Sequence, residues 1–140
     1  MKKKILVTGV AGFLGSHLAE KLSGMKHKVV GLDNMLGGYK DNVPQNIDFF
    51  NIDCCDLKKV NEIMKGVDVV YHCAATAHEG LSVFSPVEIT KNNYLASVSV
   101  FTSAIVHKVK RIIFCSSMAR YGDQQTPFTE NMNTKPIDPY

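Results

Sequence analysis

Short apolar runs alternate with longer stretches of helically spaced apolar positions along the whole chain. Ile5, Leu6 and Val7 form the first run, too brief for a helix and closed by Thr8-Gly9. From residue 13 onward Phe13, Leu14, Leu18 and Leu22 recur at helical spacing with Ala19 beside them, which predicts an amphipathic helix. Residues 28–32 read as a second strand ending in Asp33-Asn34, and residues 47–52 as a third ending at Asp53. Asp56 is placed to cap a helix that runs to about Lys65, with Leu57, Val60, Ile63 and Met64 on one face. Residues 67–73 form a fourth apolar run that leads into Ala74-Ala75. Pro86 then suits the first turn of a long helix reaching about Lys108. Along it Tyr94, Leu95, Val98, Phe101, Ile105 and Val106 make an apolar face large enough for a core and for a partner helix. Residues 111–115 read as a fifth strand, followed by Ser116-Ser117. Residues 118–140 carry turn residues and prolines without a periodic segment, and a loop that long is unusual unless it is functional or unfinished. Strands alternating with helices predict an α/β fold, a doubly wound parallel sheet of order 3-2-1-4-5.

The turn after the first strand holds Gly9, Gly12 and Gly15, spaced three apart. Each suits a bound dinucleotide: the first allows a tight turn, the second lets the backbone approach a pyrophosphate, the third lets the helix lie close to the sheet. The helix then presents free N–H groups and a positive dipole end to the phosphates. Such glycines also serve ordinary tight turns, and the spacing differs from the common G-x-G-x-x-G fingerprint. The strand before and the amphipathic helix after favour the phosphate reading. Asp33, an acidic residue ending the second strand, suits hydrogen bonding to adenosine ribose hydroxyls and repels a 2′-phosphate, which favours NAD over NADP. Its plainer role is turn chemistry before the Gly37-Gly38 loop. Asp53 suits the adenine amino group or an ordinary loop. The small residues Ala74 and Ala75 let a cofactor come close. His72 reads as a packed core histidine and His78 as a loop residue, neither with a catalytic role. Asn92, in the long helix, suits a hydrogen bond to a neighbouring backbone or cofactor loop.

Composition narrows the class further. With 45% hydrophobic and 21% charged residues, 140 residues make one globular domain with one core. The net charge of +3 owes much to Lys2-Lys3-Lys4, a solvated end with no basic, aromatic-laced stripe after it, so no nucleic acid is expected. Neither a signal peptide nor a membrane span is visible, and the expected location is cytoplasmic. Cys54, Cys55, Cys73 and Cys115 form no C-x-x-C pair, so they read as reduced core thiols with no metal site.

With these residues in place the chain resembles the extended short-chain dehydrogenase/reductase family, and within it the nucleotide-sugar epimerases and dehydratases of the UDP-glucose 4-epimerase type. The likeness rests on VTGVAGFLGSHL, LDN, the Asp53 strand end, HCAA, KNN, FCSSMARYGD and PIDPY, and covers the whole chain. It implies a Rossmann-type fold in which Gly9, Gly12, Phe13 and Leu14, with Gly15 behind them, hold the NAD pyrophosphate. Asp33 and Asn34 would face the adenosine ribose, Asp53 and Cys54 the adenine, and Ala74 and Ala75 the cofactor path. Asn92 matches an asparagine that orders the active-site backbone. Ser117, with Ser116 beside it, falls on the catalytic serine or threonine, and Tyr140 on the tyrosine of Y-x-x-x-K. Tyr121-Gly122 is a structural landmark only.

The implied reaction is reversible oxidation at a sugar carbon, through a 4-keto sugar that accepts the hydride back on its other face. Dehydratases of the family carry an acidic pair after the catalytic Ser/Thr, and related decarboxylases a glutamate. Met118 and Ala119 stand there, which favours an epimerase or a keto-reductase. Tyr140 is the last residue, so the Y-x-x-x-K lysine, the sixth strand and the substrate domain lie outside the sequence. The expectation is therefore the N-terminal NAD-binding part, residues 1–140, of an enzyme acting on a nucleotide-diphosphate sugar, itself inactive and with a frayed terminal tyrosine. The family's dimers form through the 86–108 helix and a second helix beyond Tyr140, which leaves the Tyr94–Val106 face uncovered and predicts a homodimer or self-association. The alternative is a catalytically silent dinucleotide-binding or interaction module.

Overall fold

In a computed structural model covering residues 1–140, the first apolar run becomes the central strand β1 (Lys4–Thr8). β2 (Lys28–Asp33) and β4 (Val69–His72) flank it, and β3 (Asp48–Asn51) and β5 (Arg111–Phe114) form the edges. Every pairing is parallel, and the order β3-β2-β1-β4-β5 is the expected one. Ile5 lies opposite Val29 and Val69, and Val7 opposite Gly31 and Tyr71. Because β1 is covered on both faces, its residues run apolar without alternation, and Leu6 and Val7 are wholly buried.

Odd and even positions of the strands feed two core layers. Ile5, Val7, Val29 and Val69 pack with Ala19 and Leu22 of helix α1 (Phe13–Gly24) on one face. Leu6, Val30, Leu32 and Val70 meet Val60 and Met64 on the other, where helix α2 (Leu57–Ile63) lies. Asp56 caps α2 as expected, its carboxylate accepting the Lys59 N–H at 3.1 Å. The connection after β4 contains a helix that periodicity does not reveal, α3 (Glu79–Phe84), immediately before α4 (Pro86–Ile89). α4 passes through a π-helical segment (Thr90–Leu95) into α5 (Ala96–Val106), so residues 86–106 form one helix with a wide turn in it. No helix of the chain is long and apolar enough to cross a membrane.

The inward faces of the helices differ from the expected ones. On α1 the buried residues are Gly15, Ser16, Ala19 and Leu22, whereas Phe13 is 82% exposed and Leu14 54%. On α2 Leu57 is exposed, and Val60 and Met64 carry the packing. On α5 the sheet-facing residues are Ala96, Ser99, Val100, Ser103 and Ala104. Tyr94, Leu95, Val98, Ile105 and Val106 point outward, and only Phe101 of the expected face is partly covered. Close helix–sheet packing selects small side chains, so the bulky apolar stripe is displaced to the opposite side.

Two glycines set the distance between α1 and β1. Gly9 adopts φ +70°, and a Cβ there would lie 2.8 Å from the Ala74 backbone nitrogen. A Cβ on Gly15 would overlap the carbonyl oxygen of Gly9. Gly15→Ala should therefore destabilise the fold by about 2–3 kcal/mol in urea denaturation. Gly24→Ala, at the open end of the same helix with no atom within 4 Å of the new methyl, should be neutral or stabilising by up to about 1 kcal/mol. Equal effects of the two substitutions would refute the steric account.

Candidate cofactor and active site

The C-terminal ends of the strands carry nearly all the site residues expected from the sequence, in two adjoining groups. The first lies at the tips of β1, β2 and β3. The turn Gly9–Gly12 is closed by the Gly12 N–H donating to the Gly9 carbonyl at 3.1 Å. The N–H groups of Phe13, Leu14 and Gly15 that follow meet no acceptor of the chain. Three successive free donors at a helix start form a cradle for an anion such as a pyrophosphate. The exposed side chains of Phe13 and Leu14 stand at its rim.

Asp33 is 8% exposed and braces this cradle. One carboxylate oxygen accepts the Ala11 N–H at 3.0 Å, the other the Met35 N–H at 2.8 Å. Asp33 thus makes the turn contact that its position after β2 permits, and each oxygen keeps a further lone pair. The buried Ala11 is a clip: its carbonyl accepts the Tyr39 N–H and the Asn42 amide, both at 3.0 Å, which straps the loop after β2 over the glycine turn. Asn34 accepts the Leu36 N–H at 3.2 Å and donates to Asp53 at 3.3 Å. Burial pushes the Asp53 carboxyl up, but the N–H and thiol of Cys55, the Asn34 amide and the Lys91 ammonium outweigh it and hold the group below its ordinary range. The Cys54 side chain is a core thiol, as the sequence suggests. It sits in the core with Leu32 and Val60, and burial first, then the nearby Asp53 charge, pushes its thiol up to about 12.

The second group surrounds a cavity of about 260 Å³ at the tips of β4 and β5. Its walls bring together Ala74, Ala75, Ser116, Ser117 and Tyr140. Ser116 adopts φ +52°, a left-handed conformation costing a non-glycine residue about 1–2 kcal/mol, and it leads into extended Ser117. The Ser117 hydroxyl oxygen accepts the Ala119 N–H at 3.1 Å, capping a short 3₁₀ turn (Met118–Tyr121). Tyr140 is half-buried: it lines the cavity, and its N–H donates to the Asp138 carboxylate at 2.8 Å. The two groups touch where Gly9 meets Ala74.

Several cavity residues are not apparent from the sequence. Asn93, rather than its neighbour Asn92, lines the wall; its side chain accepts the Thr76 N–H at 2.8 Å and donates to the Thr76 carbonyl at 3.4 Å. Asn92 donates to the Thr76 hydroxyl at 3.1 Å. The π turn brings both consecutive asparagines to one residue, which regular helical spacing does not anticipate. Arg120 and Asp138 also line the cavity, one cation and one anion, in the irregular segment where periodicity carries no signal. Cys115 is exposed and Cys73 half-buried, so neither is the core thiol expected. No three His, Cys, Asp or Glu side chains gather to hold a metal ion.

Behind the cavity His72, 1% exposed, is a packed core histidine as expected. The Ser97 hydroxyl donates to the Asn93 carbonyl, so it accepts from His72 Nε2 at 3.0 Å. Nδ1 is then the acceptor, taking the Thr8 hydroxyl proton at 2.7 Å, and the Thr8 oxygen in turn accepts the Ala74 N–H at 3.2 Å. The chain of bonds fixes a neutral Nε2–H imidazole. Burial lowers its pKa from the ordinary 6.5 to about 4.

The profile of the NAD dependent epimerase/dehydratase family matches residues 5–140. The chain is 33% identical to a UDP-glucose 4-epimerase of Streptomyces lividans, over all of this chain and 44% of that protein. It is 34% identical to a UDP-N-acetyl-alpha-D-glucosaminuronate decarboxylase of Bacillus cytotoxicus, over 94% of this chain and 41% of that one. The fold is similar to the crystal structure of UDP-glucose 4-epimerase from Brucella ovis in complex with NAD, with TM-score 0.92 and 34% identity over 99% of this chain and 43% of that one. The chain thus spans less than half the length of these relatives.

The buried imidazole makes stability depend on pH. Between pH 6.5 and about 4 the unfolded chain binds a proton at His72 that the folded chain excludes, so the stability present above pH 6.5 is lost as pH falls through that window. The 2.5-unit difference corresponds to about 3 kcal/mol. Urea denaturation at pH 7 and pH 4 should show the parent losing about that much more than His72→Gln. Parallel pH dependences would refute this assignment.

Proposed function

The chain belongs to the NAD-dependent epimerase/dehydratase family, and from that premise we propose that residues 1–140 are the NAD-binding portion of a nucleotide-sugar epimerase. The observation that carries the reading is the adjacency of the two site groups. A cradle of free N–H groups and a cavity holding Ser117 and Tyr140 share the Gly9–Ala74 contact. In this reading the Phe13, Leu14 and Gly15 N–H groups hold the pyrophosphate, with Gly12 leading into them. Asp33 and Asn34 hold the adenosine ribose, Asp53 and the Cys54 backbone the adenine. Ala74, Ala75 and Ser116 border the path to the cavity, and Asn93 with Asn92 fixes the Thr76 backbone beside it.

NAD, when bound, supplies the hydride acceptor. Tyr140 as phenolate takes the proton of the sugar hydroxyl, and Ser117 donates a hydrogen bond to the same oxygen. The product of that step is a 4-keto sugar, which would return to the alcohol of opposite configuration by taking the hydride back on its other face and the proton back from Tyr140. Ala119 is the residue on the cavity wall where loss of water would call for a proton-carrying side chain, which favours the epimerase over a dehydratase. The substrate is a nucleotide-diphosphate sugar. The outward stripe of Leu95, Val98 and Ile105 pairs with the same stripe of a second copy to form a homodimer, as the family resemblance implies.

Calorimetry on residues 1–140 tests the cofactor reading. NAD should bind at least about tenfold tighter than NADP, because the Asp33 carboxylate faces the 2′-position. Tighter binding of NADP, or no binding of either, would overturn it. Val98→Glu with Ile105→Glu should convert a sedimenting dimer to monomer while leaving NAD affinity within about twofold. A parent chain that is monomeric at high concentration would remove the dimer proposal.

A further inference from the structure

Cys73 and Cys115 stand at the tips of neighbouring strands, one residue past the paired His72 and Phe114. Their sulfurs are 3.6 Å apart, in direct S–H···S contact. Paired strands hold their backbones about 4.8 Å apart, within the Cα separation that a disulfide spans. Both residues line the cavity, and Cys115 is exposed while Cys73 is half-buried behind it. The other two cysteines are differently placed: Cys54 is sealed in the core, and the Cys55 S–H donates to the Lys91 carbonyl at 3.3 Å.

We propose that Cys73 and Cys115 are a dithiol modification site that closes to a disulfide when a small hydroperoxide enters the cavity. The accessible Cys115 reacts first: its thiolate attacks a peroxide oxygen, an S–O bond forms, the O–O bond breaks, and hydroxide leaves. Cys73 then attacks the Cys115 sulfur, the S–S bond forms, the S–O bond breaks, and the second hydroxide leaves with the Cys73 proton as water. Two thiols lose two electrons and two protons, and hydrogen peroxide becomes two waters. Burial first, then the contact with Cys115, pushes the Cys73 thiol up, so the exposed Cys115 is the first of the two to meet the peroxide. The bridge crosses the two strands that deliver Ala74-Ala75 and Ser116-Ser117, so its formation clamps the cavity floor. None of this depends on the dinucleotide reading.

The test treats the 140-residue chain with hydrogen peroxide and reads mass, free thiols and peptides. The expected result is a mass lower by about 2 Da, free thiols falling from four to two, and one peptide joining residues 73 and 115, reversed by dithiothreitol. Cys55→Ser should behave as the parent, and Cys73→Ser should stop at a Cys115 sulfenic acid that dimedone traps. Bridges between chains or through Cys55, unchanged thiols, or a parent in which Cys115 is oxidised while Cys73 stays free would each overturn the proposal.

Discussion

The close approach of the first turn of α1 to the carbonyl of Gly9 is the constraint on which the rest of the site depends. Because Gly15 has no Cβ, the helix start lies directly against the turn that leaves β1. The free N–H groups of Phe13, Leu14 and Gly15 are thereby fixed beyond the sheet's C-terminal edge. Gly9, in its left-handed conformation, presses against Ala74 on the other side. One tight contact thus sets both the anion cradle and its distance from the cavity. Asp33 and the Ala11 clip make this geometry rigid, since three backbone donors and one amide converge on them within about 3 Å.

A second device works from inside the sheet. The directed chain from Ala74 through Thr8, His72 and Ser97 to Asn93 joins β1, β4 and the π segment by four hydrogen bonds. Each group in it has one available role, so reversing a single donor leaves a buried atom unpaired. A neutral, low-pKa histidine is better suited to this than a hydroxyl or amide would be. It supplies a donor and an acceptor at opposite ends of a flat ring that also stacks on Phe114 and meets Phe101 edge to face.

Much of the architecture is legible in the sequence because strands buried on both faces need unbroken apolar runs, and a glycine turn leaves little choice of geometry. The strand order, the Asp56 cap and the core position of His72 follow from such local rules. The inward faces of the helices do not. Hydrophobic periodicity finds the bulkiest stripe, whereas the sheet accepts the smallest side chains, Ala96, Ser99, Ser103 and Ala104. The same limit hides Asn93 behind Asn92, because spacing arguments assume a regular helix. Phe13 and Leu14 mislead for another reason: at a helix start, apolar side chains can stand outside the core while their backbone N–H groups stay unpaired. Arg120, Asp138 and the Cys73–Cys115 contact arise from long-range folding of an irregular segment and have no local signature.

The π segment within residues 86–106 has a bearing on how such chains vary in length. A π turn is what one extra residue makes of an α-helix. Two of its carbonyls, which also accept the Ala96 N–H, take side-chain donors as well, Lys91 from the Cys55 thiol and Asn93 from the Ser97 hydroxyl. Removing a single residue between 90 and 95 would restore the regular helix, but it would rotate everything before it by about 100° relative to Ala96–Val106. Ile89 would leave the core and both asparagines would swing away from Thr76. A one-residue gap here is therefore as severe as replacing a site residue.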